Sequence, residues 1–186
     1  QLLKVFELTK DENTRNTLFA TKNPEFQNTK YRDYVAKQLM VINNQQKGKP
    51  LPPLFFEDEN GKKVSLNQFK GKYVVIDFWA TWCGPCRESL PHMQELVNQY
   101  KGKDVEFFFV NTMENNKPEE IKKLVSQFIS KNKFNINVLY DINNQTSKNY
   151  KVNGIPTEII IGKDGNIISR SVGYDGNLGA LIAENL

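Results

Sequence analysis

The chain has 186 residues, 39% of them hydrophobic and 11% aromatic, enough to bury one substantial core with a smaller appendage. Its net charge of +4 comes from 25 Lys and Arg scattered among 21 Asp and Glu, without a long basic run, so a nucleic-acid partner is unsupported. No stretch approaches the roughly 18 consecutive apolar residues of a membrane span, and no secretory apolar segment is present.

Gln1 rather than Met opens the chain, as expected of a mature or trimmed piece in which a targeting segment cannot be seen. Residues 1–47 contain no cysteine and read as a helical extension. Tyr31, Val35, Leu39 and Ile42 recur at helical spacing and predict an amphipathic helix over about 28–45, with a shorter patch over 5–20. Such a stripe has to be covered, by the domain that follows or by a larger domain upstream; a partner-binding helix is the third use. Pro50, Pro52 and Pro53 then forbid helix and mark a linker. The main domain is expected over 48–186.

Leu54 to Glu57 and Lys62 to Leu66, separated by Asp58-Glu-Asn-Gly61, predict a short hairpin. Tyr73 to Ala80 is an apolar run rich in Val and Ile, the pattern of a strand buried on both faces. Cys83-Gly84-Pro85-Cys86 follows at once, and Leu90, Met93, Leu96, Val97 and Tyr100 after it repeat at helical spacing. Cys83 is therefore expected at a helix N-terminus. There, unpaired N–H groups and the positive end of the helix dipole favour a thiolate, which makes this sulfur the nucleophile. Cys86, one turn further in, is less exposed and close enough to form a disulfide with it. Structural zinc needs about four ligands; the chain holds one histidine, His92, and no second cysteine pair.

Further along, Val105 to Asn111 predicts a second apolar strand, and Pro118 with Glu119 and Glu120 opens a helix carrying Ile121, Leu124, Val125, Phe128 and Ile129. Strand, helix, strand in this order implies parallel pairing. Ile136 to Tyr140 reads as a strand and Asn144 to Tyr150 as a polar helix. Thr157 to Gly162 and Ile167 to Val172 read as a hairpin turning at Asp164-Gly165. A last helix begins at Leu178. Phe107, Phe108, Phe109 and Met113 are expected in the core, and His92 on the surface.

Taken together, Asp77-Phe-Trp-Ala-Thr-Trp-Cys-Gly-Pro-Cys86, Pro91 in the next helix and Gly154-Ile-Pro-Thr-Glu-Ile-Ile-Ile161 resemble the thioredoxin superfamily, and within it the TlpA/ResA-type thiol-disulfide oxidoreductases, over residues 48 to 186. The resemblance implies an α/β thioredoxin-like fold: a mixed central sheet with helices on both faces, entered through an N-terminal β-hairpin. It also implies a cis Pro156 facing the cysteine pair. Ile155, Pro156 and Thr157 would then bind an extended substrate segment beside its disulfide, with Gly84, Pro85 and an apolar rim at Trp82. Asp77 falls where thioredoxins hold a buried acid behind the resolving cysteine, there to take and return a proton. Glu158, on a strand that in this fold lies beside that of Asp77, would couple to it if both point to one face, as a second member of a proton relay. Many members of this type carry a Glu two positions before the helix proline; here Ser89 stands there, with Glu88 about 100° round the helix. That removes the basis for carrying over a cytochrome-maturation role that uses the acid.

The resulting expectation is a monomeric protein disulfide reductase of the periplasm or another extracytoplasmic cell envelope. It has no cofactor beyond the Cys83–Cys86 dithiol and is re-reduced by a membrane dithiol donor; any membrane tether would lie in a segment outside this sequence. The Gly-Pro pair resembles reducing members of the family. A thiol oxidase or isomerase, a peroxidase of the same fold, and a redox-inert binding module are the alternatives. A peroxidase would need a Thr or Ser three residues before its nucleophile, where this chain has Ala80.

Overall fold

The computed structural model of the protein describes residue 48, residues 55–174 and residues 176–185. The expected helices before residue 48, most of the proline-rich linker, and Leu54 lie outside the described residues. The chain runs β1 (Phe55–Glu57), β2 (Lys63–Ser65), a 3-10 turn (Leu66–Phe69), β3 (Tyr73–Trp79), α1 (Gly84–Gln99), β4 (Val105–Asn111), α2 (Pro118–Asn132), β5 (Val138–Tyr140), α3 (Gln145–Asn149), β6 (Thr157–Ile161), β7 (Ile167–Val172) and α4 (Leu178–Asn185). The seven strands form one sheet in the order β2-β1-β5-β4-β3-β6-β7.

β3 lies deep in that sheet because its sequence leaves it nowhere else to go: every residue after Tyr73 is buried. It pairs in parallel with β4, Tyr73 opposite Val105 and Trp79 opposite Asn111, and antiparallel with β6. Parallel neighbours require a crossover, which α1 supplies between β3 and β4 and α2 between β4 and β5. Period-two alternation then divides the core between two faces. Val75, Trp79, Phe107 and Phe109 pack on one side with Leu90 and Met93 of α1, Val125 of α2 and Ile182 of α4. Val74, Ile76, Phe78 and Phe108 pack on the other with Leu66, Phe69, Tyr150 and Val152. Helical cover is thus present on both faces but unequal: the three longer helices share one side, while the 3-10 turn and the segment around α3 close the other.

Local chemistry sets the helix ends. Pro118 at the first turn of α2 has no N–H to leave unpaired, and Glu119 and Glu120 sit at the positive end of the dipole. The same helix stops at Lys133, in the left-handed region at φ 58°, where Phe134 N–H donates back to the Ile129 carbonyl at 3.1 Å. β5 is shorter than its sequence pattern, since Asn135 N–H donates to the Gln94 side chain at 2.6 Å and the ladder begins only at Val138. Met113, expected in the core, instead has φ 57° in the loop after β4 and is only partly buried.

Phe78 is completely buried, its ring 6.3 Å from that of Phe56 in an edge-on arrangement. Phe78→Ala leaves a cavity where a strand paired on both sides cannot collapse. A loss of about 3–5 kcal/mol is expected, read as a lower urea midpoint at unchanged slope.

Candidate active site

Where β3 ends, the chain turns through Ala80 to Trp82 and starts α1 with Cys83 as its N-cap, in extended backbone at φ −75° and ψ 108°. Backbone donors that the helix cannot pair internally are left at this end. One of them, Cys86 N–H, donates to Cys83 Sγ at 3.2 Å. The two cysteines are joined as a disulfide, with Cα atoms 5.3 Å apart. Cys86 is completely buried; Cys83 is 3% exposed, its sulfur the outer of the two. Gly84 and Pro85 are exposed beside it.

Across from this turn, Ile155–Pro156 is a cis peptide, as the resemblance implied, and the Ile155 carbonyl oxygen lies 3.6 Å from Cys83 Sγ. Ile155 is half-buried, and Pro156 is covered. Trp82 is more than half exposed, and its Nε1 donates to the Met113 carbonyl at 2.8 Å. Val172 and Tyr174 are also exposed; Val172 packs against Gly154, and Gly173 N–H donates to the Pro156 carbonyl at 2.8 Å. Thr157 is completely buried and its hydroxyl donates to the Gly154 carbonyl at 2.6 Å, so its side chain holds the turn before Pro156.

Asp77 sits on the face of β3 that carries Val75 and Trp79, the residues that pack with Cys86. It is 1% exposed, and neither carboxyl oxygen has a hydrogen-bond partner among the described residues. Burial first, and the charge of Glu158 second, hold this carboxyl well above the usual carboxylate range. Glu158 lies directly opposite Asp77 in the antiparallel β3–β6 ladder, and opposed residues of such a ladder share a face. It is 4% exposed. Ser89 is completely buried, its Oγ donating to the Cys86 carbonyl at 3.0 Å, so this place on α1 carries a hydroxyl and no acid. His92 is on the surface, 3.5 Å from Glu95.

One residue of this site escaped the sequence pattern. Glu114, in the loop after β4, accepts Thr81 N–H at 2.7 Å and Thr81 Oγ1–H at 2.9 Å, and Asn111 Nδ2 donates to it at 2.7 Å. With Thr112 N–H donating to the Trp79 carbonyl at 3.0 Å, these bonds tie the turn that carries Cys83 to the end of the neighbouring strand. A lone Glu in a polar loop has no sequence signature. Only the parallel β3–β4 register, which brings Asn111 level with Trp79, puts it within reach.

The sequence matches the Redoxin family over residues 46–181. The chain belongs to that family. This redoxin is 34% identical over 145 residues, 78% of each chain, to the thiol-disulfide oxidoreductase ResA of Bacillus cereus. To ResA of Bacillus subtilis it is 33% identical over 121 residues, 65% of this chain and 64% of the relative. Among solved structures it is similar to the thioredoxin domain of a thiol-disulfide oxidoreductase from Bacteroides vulgatus, with 27% identity, a TM-score of 0.63, and coverage of 76% of this chain and 99% of that one. It is also similar to a thiol:disulfide interchange protein from a Bacteroides species, with 28% identity, TM-score 0.63, and coverage of 76% and 90%. The ResA-type resemblance and the thioredoxin-like fold both hold for this redoxin.

Two outcomes follow from this geometry. Glu114→Ala removes the acceptor of Thr81 N–H; a hydrogen bond to a charged group is worth about 1.5–3 kcal/mol, so exchange of that amide is expected to speed up by roughly 10-fold to 100-fold, measured by NMR. Asp77, with its folded-state pKa raised, favours folding fully below its unfolded pKa of 3.8, and that contribution is lost as pH rises through the folded value. Asp77→Asn should therefore match the parent near pH 4 and exceed it in stability at neutral pH, measured by denaturant titration at each pH.

Proposed function

We infer that this redoxin is a thiol-disulfide oxidoreductase that reduces protein disulfides through Cys83 and Cys86. The observation that carries this reading is Cys83 Sγ at the N-cap of α1, accepting Cys86 N–H at 3.2 Å. A donor already aimed at the sulfur, together with the helix dipole, stabilises the thiolate more than the thiol once the disulfide is reduced. In the reductive reaction, Cys83 thiolate attacks one sulfur of the substrate disulfide and the other leaves as a thiolate. Cys86 then loses its proton and attacks Cys83 Sγ. The bond from Cys83 to the substrate breaks, the Cys83–Cys86 disulfide forms, and the substrate departs with both sulfurs reduced. Asp77 is the acceptor for the Cys86 proton, a role supported by its burial on the same side of the sheet, without hydrogen bonds to spend its oxygens on.

Substrate lies against Trp82, Gly84, Pro85 and the backbone of Ile155, with Pro156 shaping that backbone. This is supported by the exposure of Trp82, Gly84 and Pro85 and by the proximity of the Ile155 carbonyl to Cys83. Val172 and Tyr174 enlarge the same surface. On the same reading the protein acts as a monomer in the periplasm or another extracytoplasmic part of the cell envelope and takes electrons from a membrane dithiol, as the resemblance carried by its CxxC and cis-proline motifs implies. Among the described residues no helix is long and apolar enough to cross a membrane. A redox domain starting near residue 48 is supported by the family match from residue 46.

Insulin reduction with dithiothreitol as donor tests the activity. Cys83→Ser is expected to abolish it, and Cys86→Ser to accumulate a mixed disulfide at Cys83. Equilibration with glutathione buffers is expected to return a potential nearer the roughly −270 mV of thioredoxin than the roughly −120 mV of a strong oxidant. A value at the oxidising end would reverse the direction of electron flow.

A further inference from the structure

Release of Cys86 as a nucleophile leaves one proton to be removed from the interior, and Asp77, which would receive it, is buried. The ladder of the sheet offers an exit. Asp77 on β3 stands opposite Glu158 on β6, and Glu158 stands opposite Ser171 on β7. Both pairings are antiparallel, so the three side chains share one face, with neighbouring Cβ atoms about 4.5–5.5 Å apart. Ser171 Oγ donates to Glu158 Oε2 at 3.3 Å. Ser171 itself is only half-buried, and β7 is the edge strand of the sheet.

The row therefore leads in two steps from the buried centre to the half-buried edge of the sheet. We propose that Asp77, Glu158 and Ser171 form a cross-strand proton path. In it, Glu158, acting through Asp77, is the positioning residue that receives the Cys86 proton and passes it to solvent at Ser171. The inference rests on the reductase reading for its use, and on the strand register for its geometry.

Burial, and after it the charge of Glu158, raise the proton affinity of Asp77, and interacting carboxyl groups titrate as a pair. On β7 the neighbouring Arg170 turns to the opposite face, donating to the Tyr150 and Lys151 carbonyls at 3.0 and 2.9 Å. On α1 the groups facing inward are Cys86 and Ser89, whereas Arg87, Glu88, His92 and Glu95 are exposed. α4 presents Leu178 and Ile182 inward and keeps Glu184 exposed.

The balance is that of the resolving step with the proton followed outward. Cys86–SH gives its proton to one oxygen of Asp77 as Asp77 hands the proton it already holds to the Glu158 carboxylate, and the Cys86 electron pair forms the bond to Cys83 Sγ as the bond to substrate sulfur breaks. Glu158 exchanges the proton it has received with water through the Ser171 hydroxyl. The net proton reaches solvent, and the departing substrate thiolate takes up its own from solvent.

The test separates this path from the reductase reading by using Cys86 alone, in a Cys83→Ser background where no turnover is needed. Glu158→Gln is expected to move the midpoint of Cys86 alkylation against pH down by about one unit, or roughly tenfold faster alkylation below that midpoint, because one negative charge is lost from the pair. Ser171→Ala in the otherwise unaltered chain is expected to leave Cys83 attack on a model disulfide unchanged. It should slow resolution of the mixed disulfide several-fold at neutral pH, and Ser171→Thr should restore it. An unmoved Cys86 midpoint in Glu158→Gln, with insulin reduction intact, overturns the path and spares the activity. Absence of insulin reduction in the unaltered chain strikes the activity and leaves the coupling readable. Should Glu158→Gln fail to fold, carboxyl carbon shifts of the unaltered reduced protein decide it: shared two-step titration of Asp77 and Glu158 supports the path, and independent single steps refute it.

Discussion

Everything at this site depends on where one strand stops. β3 is held on both sides by full ladders to β4 and β6, so its last residue, Trp79, is fixed to the sheet, and three residues of turn are all that separate it from Cys83. The N-terminus of α1 therefore starts at a set height above the sheet, with an unpaired N–H aimed at sulfur. A helix that began one residue later would hand that donor to another group. The bonds from Thr81 to Glu114 and from Trp82 to the Met113 carbonyl serve the same end: they fix a turn that would otherwise move on the loop timescale.

The buried acids nearest the cysteine pair lie on the sheet. Ser89 occupies the helix position where many ResA-type relatives are expected to hold a Glu, and its hydroxyl is used within α1. Both buried acids, Asp77 and Glu158, instead come from adjacent strands. A carboxyl on a helix can follow its side-chain rotamers toward solvent. Two carboxyls opposed across a central ladder cannot, because the backbone on both sides is paired and their own face is roofed by α1. Their separation is therefore a property of the sheet.

Most of the fold was legible because its strongest signals are local. The apolar runs at 73–79 and 105–111, the prolines at 85 and 118, and Asp164-Gly165 each dictate an element from their own chemistry, and the observed elements agree to within a residue or two. The cysteine pair, the cis proline and Asp77 could be read from motif and resemblance. What could not be read was any contact between separate segments. Glu114 meets Thr81 across 33 residues of chain, and Thr157 spends its hydroxyl on a turn that only the cis peptide creates. The Asp77–Glu158 pairing was an open question in the sequence for the same reason: a slip of one residue in the β3–β6 register would send Glu158 to the other face.

That register is fixed by apolar demand more than by the acids. Ile159 and Ile161 on β6 must enter the core on the side opposite α1, alongside Ile76 and Phe78, while Ile160 must join Val75 under the helix. Once these isoleucines are seated, Glu158 has no choice but to face Asp77. The desolvation that raises the Asp77 pKa is thus maintained by hydrophobic burial elsewhere on the same two strands, each fully buried aliphatic side chain contributing about 1.5–3 kcal/mol. An unfavourable placement of charge is stable here because many neighbouring side chains would have to be exposed to relieve it.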